Sequence, residues 1–167
     1  FTSDHGEHLG DHGLIGKGAA YDSCARVPLV VSYPNGFSGG DHYDELVEAV
    51  DLVPSILDWC GVQQPAVMPG RSFRPLVEGK DYSPGESCLI ELSNGIGSGY
   101  KAVRTLSHLY IHNADGCEEL YDLSRDPDQV LNCAMRPEHH DALAAARKEM
   151  IRRSFDSDLR LPRTAHY

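Results

Sequence analysis

Two Asp-His pairs and a lysine lie close together at the start of the chain, each on a glycine-containing segment. In order, the segments are Phe1-Thr2-Ser3-Asp4-His5-Gly6, Gly10-Asp11-His12-Gly13 and Gly16-Lys17-Gly18. Residues 1–3 are typical of the end of a buried strand, and open α/β sheets bind ligands just beyond the carboxyl ends of their strands. The sequence therefore predicts an α/β fold with a ligand site at Asp4 and His5.

The residue types at this position predict an oxyanion site. Asp4 offers a carboxylate oxygen and His5 an imidazole nitrogen, and both are common ligands of divalent metal ions. Lys17 follows on a glycine-flanked loop, where its ammonium group can face a sulfate or phosphate oxygen that the metal also polarises. His12 is a further candidate for substrate contact. The structural alternatives are an exposed surface lysine and loop histidines that bond to backbone groups.

Motifs along the whole chain resemble those of one enzyme family. The first segments, with Arg26-Val27-Pro28-Leu29 after them, resemble the second half of a type I sulfatase of the alkaline phosphatase superfamily. The resemblance continues through Asp51-Leu52-Val53-Pro54-Ser55, Pro69-Gly70-Arg71-Ser72-Phe73, Tyr100-Lys101-Ala102-Val103-Arg104 and Glu119-Leu120-Tyr121-Asp122-Leu123. Single motifs are moderately specific, but their shared order over most of the chain identifies it as similar to the C-terminal part of such an enzyme.

The resemblance implies a sulfuric ester hydrolase of the arylsulfatase kind, acting on a sulfate ester of a small molecule or glycan. It implies Asp4 and His5 as metal ligands, Lys17 and His12 as catalytic residues, and Lys17 and Arg104 as substrate contacts. The implied cofactors are a divalent metal, with calcium expected and manganese or zinc as alternatives, and a formylglycine nucleophile. None of the five cysteines begins the Cys-x-Pro/Ala-x-Arg motif from which formylglycine is made. The chain is therefore expected to be a fragment that is inactive alone, with the formylglycine in an N-terminal part.

The sequence also fits two other functions. A phosphonate monoester hydrolase or phosphodiesterase of the same superfamily resembles the same Asp-His-Gly pattern, and imidazole suits transition metals better than calcium. A non-catalytic family member is the other alternative. The nucleophile motif in the full reading frame would separate the three.

The charge composition argues against two classes of partner, whereas the indications of the cellular compartment conflict. With 25 acidic and 15 basic side chains, the net charge of −10 argues against a nucleic-acid or membrane surface, both of which select for basic patches. The sulfatase resemblance favours a periplasmic, lysosomal or secreted protein. The five cysteines lack the compact spacing of a disulfide framework, which favours a reducing compartment such as the cytoplasm.

The pattern of apolar residues divides the chain near residue 85. Residues 1–85 are predicted to be the remainder of the α/β catalytic domain, with strands at 1–3 and 28–32 and a helix over 52–60. Residues 86–167 are predicted to form a small subdomain, in which closely spaced strands pair antiparallel and a terminal helix covers them. The predicted strands are 88–92, 101–105, 109–112 and 118–123, and the helix begins at Pro137. Because the front strands lack neighbours, we also expect the isolated chain to self-associate.

Overall fold

The computed structural model describes residues 1–34, 36–65, 68–93, 95 and 97–157. A four-stranded antiparallel sheet with strand order β1-β2-β3-β4 dominates the second half of the chain. Its strands are β1 (Cys88–Ser93), β2 (Gly99–Arg104), β3 (His108–Asn113) and β4 (Glu118–Asp122). The helices are α1 (Asp22–Ala25), α2 (Leu52–Trp59), α3 (Arg74–Val77) and α4 (His140–Ser157). This arrangement confirms the predicted antiparallel sheet with its terminal helix.

Both faces of the sheet are buried, each by its own set of apolar residues. Val103, Tyr110 and Leu120 are cross-strand neighbours on one face, which packs against Leu143 and Ala146 of α4. On the other face, a second buried cluster joins Ala20 of the front half to four residues of the sheet: Ala102, Leu109, Ile111 and Tyr121. Because successive strand residues point to opposite faces, neighbours in sequence enter different cores. The sheet therefore serves as the wall on which the front segment rests.

The helix over 52–60 forms as predicted, but Asp51, whose residue type and position favour an N-cap, does not cap it. Asp51 belongs to a 3₁₀ turn, Ala49–Asp51, that runs directly into α2, and its side chain makes no cap bond to the helix. It accepts hydrogen bonds from the backbone N–H groups of Glu48 at 3.0 Å and Arg71 at 2.9 Å. At the other end Gly61 has φ 66°, and Val62 N–H donates to Leu57 O at 2.9 Å, which is a Schellman ending.

The strands expected at 1–3 and 28–32 do not form, and these two assignments are wrong. The two segments do lie side by side, since the Phe1 ammonium donates to Val30 O at 2.6 Å and Val30 N–H donates to Phe1 O at 2.8 Å. One bonded pair does not make a strand ladder, and Pro28 has no N–H with which to extend it.

Two side chains near the helices differ from what their sequence positions indicate. Helical spacing places Arg153 on the polar face of α4, but it is ion-paired with the partly buried Glu48 of the front half. Cys60 follows Leu57, Asp58 and Trp59 in a position typical of a core residue, but it is exposed after the end of α2. No helix among the described residues is both long and apolar enough to cross a bilayer. The division of the chain at residue 85 stays a prediction.

Candidate functional site

Asp4, His5 and Lys17 converge, although Lys17 belongs to a different loop. The Nζ atom of Lys17 lies 2.7 Å from Nε2 of His5, and Oδ2 of Asp4 lies 3.4 Å from the same nitrogen. The Asp4 side chain is 83% exposed and the His5 side chain 37%. The three groups therefore surround a point that an incoming ligand can reach.

The His5 ring is oriented by its own loop. Its Nδ1 lies 2.7 Å from the carbonyl oxygen of Gly6, which can only accept a hydrogen bond. Nδ1 therefore carries a proton, and the ammonium group of Lys17 donates to the lone pair of Nε2. Metal-binding histidines commonly hold their second nitrogen in this way. The donor set, one carboxylate and one oriented imidazole, fits part of a coordination shell for a divalent cation.

The Asp4 carboxylate is held in its ionised form. The backbone N–H of His5 donates to Asp4 Oδ1 at 3.0 Å, and the Ser3 hydroxyl donates to the same atom at 3.3 Å. The hydrogen bond from the His5 backbone N–H lowers the pKa of Asp4 below its ordinary value. Since metal ligation requires the carboxylate, this environment favours a bound cation.

The loop from Gly6 to Gly18 is fastened to α1 by close backbone contact. Gly6 N–H donates to Cys24 O at 2.7 Å, and a Cβ atom on Gly6 would lie 2.2 Å from Ser23 O. His8 is buried, and its Nδ1 lies 2.8 Å from the hydroxyl of Ser23. These contacts require glycine at position 6 and give His8 a structural role. They also fix the loop that carries Lys17.

A cleft of about 610 Å³ lies beside this loop. Tyr21 forms part of its wall and is braced against the sheet, because its hydroxyl donates to Glu119 at 2.8 Å. Burial raises the pKa of both Tyr21 and Tyr121, so both phenols stay protonated. The residues lining the cleft come from the loop, α1 and the segment after β4: Asp11, His12, Tyr21, Asp22, Ser23, Tyr121, Pro127, Asp128, Gln129 and Val130.

The sequence of this region matches a known family. A profile described as "N-sulphoglucosamine sulphohydrolase, C-terminal" matches residues 10–156, which include most of the loop, the cleft and the whole sheet. The chain belongs to this sulfatase family. The predicted resemblance to the C-terminal part of a sulfatase is therefore confirmed.

Curated relatives carry sulfatase names. An arylsulfatase of Clostridium perfringens is 31% identical over 160 residues, covering 91% of this chain and 32% of the relative. An N-acetylglucosamine-6-O-sulfatase of Bacteroides thetaiotaomicron is 28% identical over 161 residues, covering 90% of the chain and 28% of the relative. The chain thus spans about a third of the length of these proteins.

Solved structures share the fold of this sulfatase domain. A 2-O GAG sulfatase superposes with a TM-score of 0.85 at 26% identity, over 94% of this chain and 36% of that one. A phosphonate monoester hydrolase from Silicibacter pomeroyi gives 0.85 at 29% identity, over 95% and 35% of the two chains. The fold is therefore shared by enzymes named for two different ester chemistries.

The other predicted site residues of the sulfatase domain lie around the cleft or next to it. The ring of His12 stacks on Tyr21 with centroids 3.7 Å apart, and within the described residues no hydrogen bond or ion pair joins it to Lys17. Arg104 donates to both carboxylate oxygens of Asp22, at 3.1 and 3.4 Å. Its direct partner is thus a residue of the cleft wall. The catalytic role of His12 and the substrate role of Arg104 stay predictions.

Sequence reasoning missed the residues that join the cleft to the sheet. Gln129 is buried with φ 59° and accepts a hydrogen bond from Asp22 N–H at 2.9 Å through its side-chain oxygen. Glu119 accepts hydrogen bonds from both Tyr21 and Tyr121. Gln129 is 107 positions from Asp22, and Glu119 is 98 positions from Tyr21, so no local pattern signals these contacts. The one usable signal was the Asp-Pro turn at Asp126 and Pro127 that precedes Gln129.

Proposed function

We propose that this chain is the C-terminal portion of a sulfuric ester hydrolase and supplies half of its oxyanion site. The observation that carries the proposal is the convergence of Asp4, His5 and Lys17 on one exposed point. Membership of the sulfatase family supports the same chemistry. The finer assignments below extend that family membership to individual residues.

In the proposed reaction Asp4 and His5 hold a divalent metal, with calcium expected and manganese or zinc as alternatives. When bound, the metal polarises a sulfuryl oxygen and lowers the charge that the attacking group meets. A formylglycine outside this chain is the proposed nucleophile. In this reaction the residues of this chain bind the metal and the sulfate group and orient them. Asp4 is ionised for ligation, and the Gly6 carbonyl fixes the ring of His5.

Lys17 is proposed to bind the sulfate group. Its ammonium group now donates to Nε2 of His5 at 2.7 Å, the lone pair that a metal would take. Metal ligation by His5 would therefore free the ammonium group to face the anion beside it. A preorganised charge at this point stabilises negative charge that develops on the sulfuryl and bridging oxygens. The net charge of −10 makes such a local positive group necessary for attracting an anionic substrate.

A sulfated sugar is the substrate class that the comparisons favour. Two relatives of the chain are named for sulfated sugars, one an N-acetylglucosamine-6-O-sulfatase and the other a 2-O GAG sulfatase. The adjacent cleft of about 610 Å³ falls within the size range of small-ligand sites. Its wall includes the stacked rings of His12 and Tyr21, an apolar surface next to polar groups.

A phosphonate monoester hydrolase is the second candidate. The observation in its favour is the superposition on the Silicibacter pomeroyi enzyme, at 29% identity and a TM-score of 0.85. Sulfate and phosphonate monoesters both place anionic oxygens around a tetrahedral centre, so the same Asp, His and Lys serve either.

Kinetics of the intact protein that carries this domain test the proposal. Purified enzyme is assayed on 4-nitrophenyl sulfate, a phosphonate monoester and a phosphate diester with calcium, manganese or zinc. We expect the sulfate ester to give the highest kcat/KM. Asp4→Ala should lower kcat/KM by about 10²-fold or more, with partial rescue at high metal concentration. The exposed Asp81→Ala variant is the matched control and should behave as wild type.

Preference for the phosphonate by wild-type enzyme would select the second candidate. Normal kinetics in Asp4→Ala and His5→Ala would remove both residues from the metal site. Absence of turnover on all three ester classes with every metal would favour the non-catalytic family member.

A further inference from the structure

Three metal-ligating side chains meet on the sheet subdomain, well separated in sequence from Asp4 and His5. His108 begins β3, Asp122 ends β4, and His139 ends the 3₁₀ turn that leads into α4. One ligand atom from each residue lies within 4.8 Å of the ligand atoms of the other two, and all three residues are partly exposed. We propose that these residues bind a divalent transition metal, with zinc as the best-fitting ion.

Each ligand is held by backbone contacts of its own element. His108 and Asp122 are directly paired across the β3–β4 ladder. The turn that carries His139 is tied back to β4 through successive backbone bonds. Cys133 N–H donates to Leu120 O at 2.8 Å, Arg136 N–H to Cys133 O at 3.0 Å, and His139 N–H to Arg136 O at 3.0 Å. The site therefore draws on three elements whose relative position the fold already fixes, which limits the ordering cost of binding.

Side-chain contacts also leave ligand atoms available. Ser124 donates to Oδ1 of Asp122 through both its backbone N–H, at 3.1 Å, and its hydroxyl, at 2.5 Å. The second oxygen, Oδ2, has Arg125 as a partner at 3.8 Å, and that side chain is 80% exposed. An exposed ion pair of this length is weak and is readily displaced by an ion. The Nδ1 atom of His108 lies 2.9 Å from the Ser107 hydroxyl, and this hydrogen bond orients the ring.

The chemistry of the donor set selects the class of ion. Two imidazoles and one carboxylate suit zinc and similar transition metals, whereas calcium and magnesium prefer six or more oxygen ligands. Ligand atoms of a tetrahedral zinc ion with bonds of about 2.0–2.1 Å lie about 3.4 Å apart. Small rotations of exposed side chains would bring the three atoms from within 4.8 Å to that spacing. Water would complete the shell.

The proposed ion would act as a structural clamp. It would join the β3–β4 hairpin to the start of α4, whose buried face packs on the same sheet. Since an ion that binds the folded chain stabilises it by mass action, zinc should raise the unfolding temperature. This role is independent of ester hydrolysis.

Isothermal titration with zinc chloride tests the site. The 167-residue chain carrying Asp4→Ala and His5→Ala removes the other candidate site and serves as the reference protein. We expect it to bind one zinc ion, and we expect His139→Ala in this background to weaken the affinity at least about tenfold. The matched control is His140→Ala, which removes the neighbouring exposed histidine and should leave the affinity unchanged.

A second variant separates loss of zinc binding from loss of folding. Asp122→Asn keeps the shape of the side chain and an oxygen that accepts from Ser124, so circular dichroism should report an unchanged fold. It should weaken zinc binding at least about tenfold and abolish the zinc-dependent rise in unfolding temperature. The proposal is overturned if the reference protein takes up no zinc in a saturable 1:1 manner, or if Asp122→Asn and His139→Ala bind as tightly as it does.

Discussion

Replacement of Asp51 should destabilise the front half of the chain more than any loss of charge at the surface. The carboxylate is 3% exposed and accepts two backbone hydrogen bonds, from Glu48 and from Arg71. Its neighbour Gly70 admits no side chain, since a Cβ atom there would lie 1.9 Å from Val50 O. The turn after residue 68 is thus held against the start of α2 by this side chain and a tight backbone contact, and Phe73 N–H adds a hydrogen bond to Ser55 Oγ at 3.0 Å.

The expected magnitude follows from those two bonds. A hydrogen bond to a charged group contributes about 1.5–3 kcal/mol, and a buried N–H without a partner costs a similar amount. Asp51→Ala should therefore lower the free energy of unfolding by about 3–5 kcal/mol. That is a large part of the roughly 5–15 kcal/mol of a typical domain. Asp51→Asn keeps one accepting oxygen but turns an NH₂ group toward the other amide, so we expect about 2 kcal/mol or more.

Urea unfolding followed by circular dichroism measures these differences. The control is Asp81→Ala, which removes an exposed aspartate that has no side-chain hydrogen bond among the described residues. Hydrogen exchange adds the location, since the amides of α2 and of the turn carrying Arg71 should lose protection first. A loss below about 1 kcal/mol in Asp51→Ala, at an unchanged m-value, would refute the reasoning.

Three further predictions concern pH, catalysis and association. The Arg147 guanidinium and then the Tyr110 hydroxyl lower the pKa of Glu118 from 4.5 to about 2. A pKa lowered in the fold gives stability above pH 4.5 that is lost as pH falls toward 2. Thermal unfolding should show Glu118→Gln about 1–2 kcal/mol less stable than wild type at neutral pH, with the difference vanishing across that window. The isolated chain should have no aryl sulfatase activity, since Asp4 and His5 leave most of a cation's shell to water, and metal-dependent turnover by it would contradict this. Light scattering should find that the isolated chain self-associates, because the apolar residues Val53 and Ile56 of α2 are each more than half exposed. A strictly monomeric chain would contradict this prediction.

Local patterns explain which parts of the fold could be predicted from sequence. The strands are short runs rich in apolar residues that are separated by turn residues, so each predicted strand lies within two residues of the observed one. Leu143, Ala146 and Met150 recur at helical spacing, which indicates the face of α4 that packs on the sheet. The contact of Phe1 with Val30 was not predicted, and the strands predicted there do not form because a strand needs a ladder of pairs that one contact does not supply.

Long-range polar contacts could not be predicted, because they depend on where the chain brings distant residues. Glu48 and Arg153 pair across 105 positions, and Arg104 and Asp22 across 82. The adjacency of Asp4 and His5 is visible in the sequence, whereas the contact of His5 with Lys17 needs the loop folded against α1.

The second cluster was hidden for the same reason. In the sequence, neither His108 nor His139 lies in a pattern that indicates a metal ligand. The pairing of His108 with Asp122 is set by the register of β3 against β4, which depends on how the buried faces of the sheet fit together and not on a local motif. The third member depends on the path of the chain from β4 to α4, which buried backbone bonds fix.

The measurement that most directly tests the central claim is the steady-state kinetics of Lys17→Ala in the intact protein that carries this domain. With 4-nitrophenyl sulfate and saturating metal, we expect kcat/KM to fall by about 10²–10³-fold, the effect of losing one preorganised electrostatic group. Lys148→Ala, which removes an exposed lysine from α4, is the control and should leave kcat/KM unchanged. If Lys17→Ala kept near-normal kinetics with its fold intact, Lys17 would not bind the sulfate, and the oxyanion site proposed at Asp4, His5 and Lys17 would be contradicted.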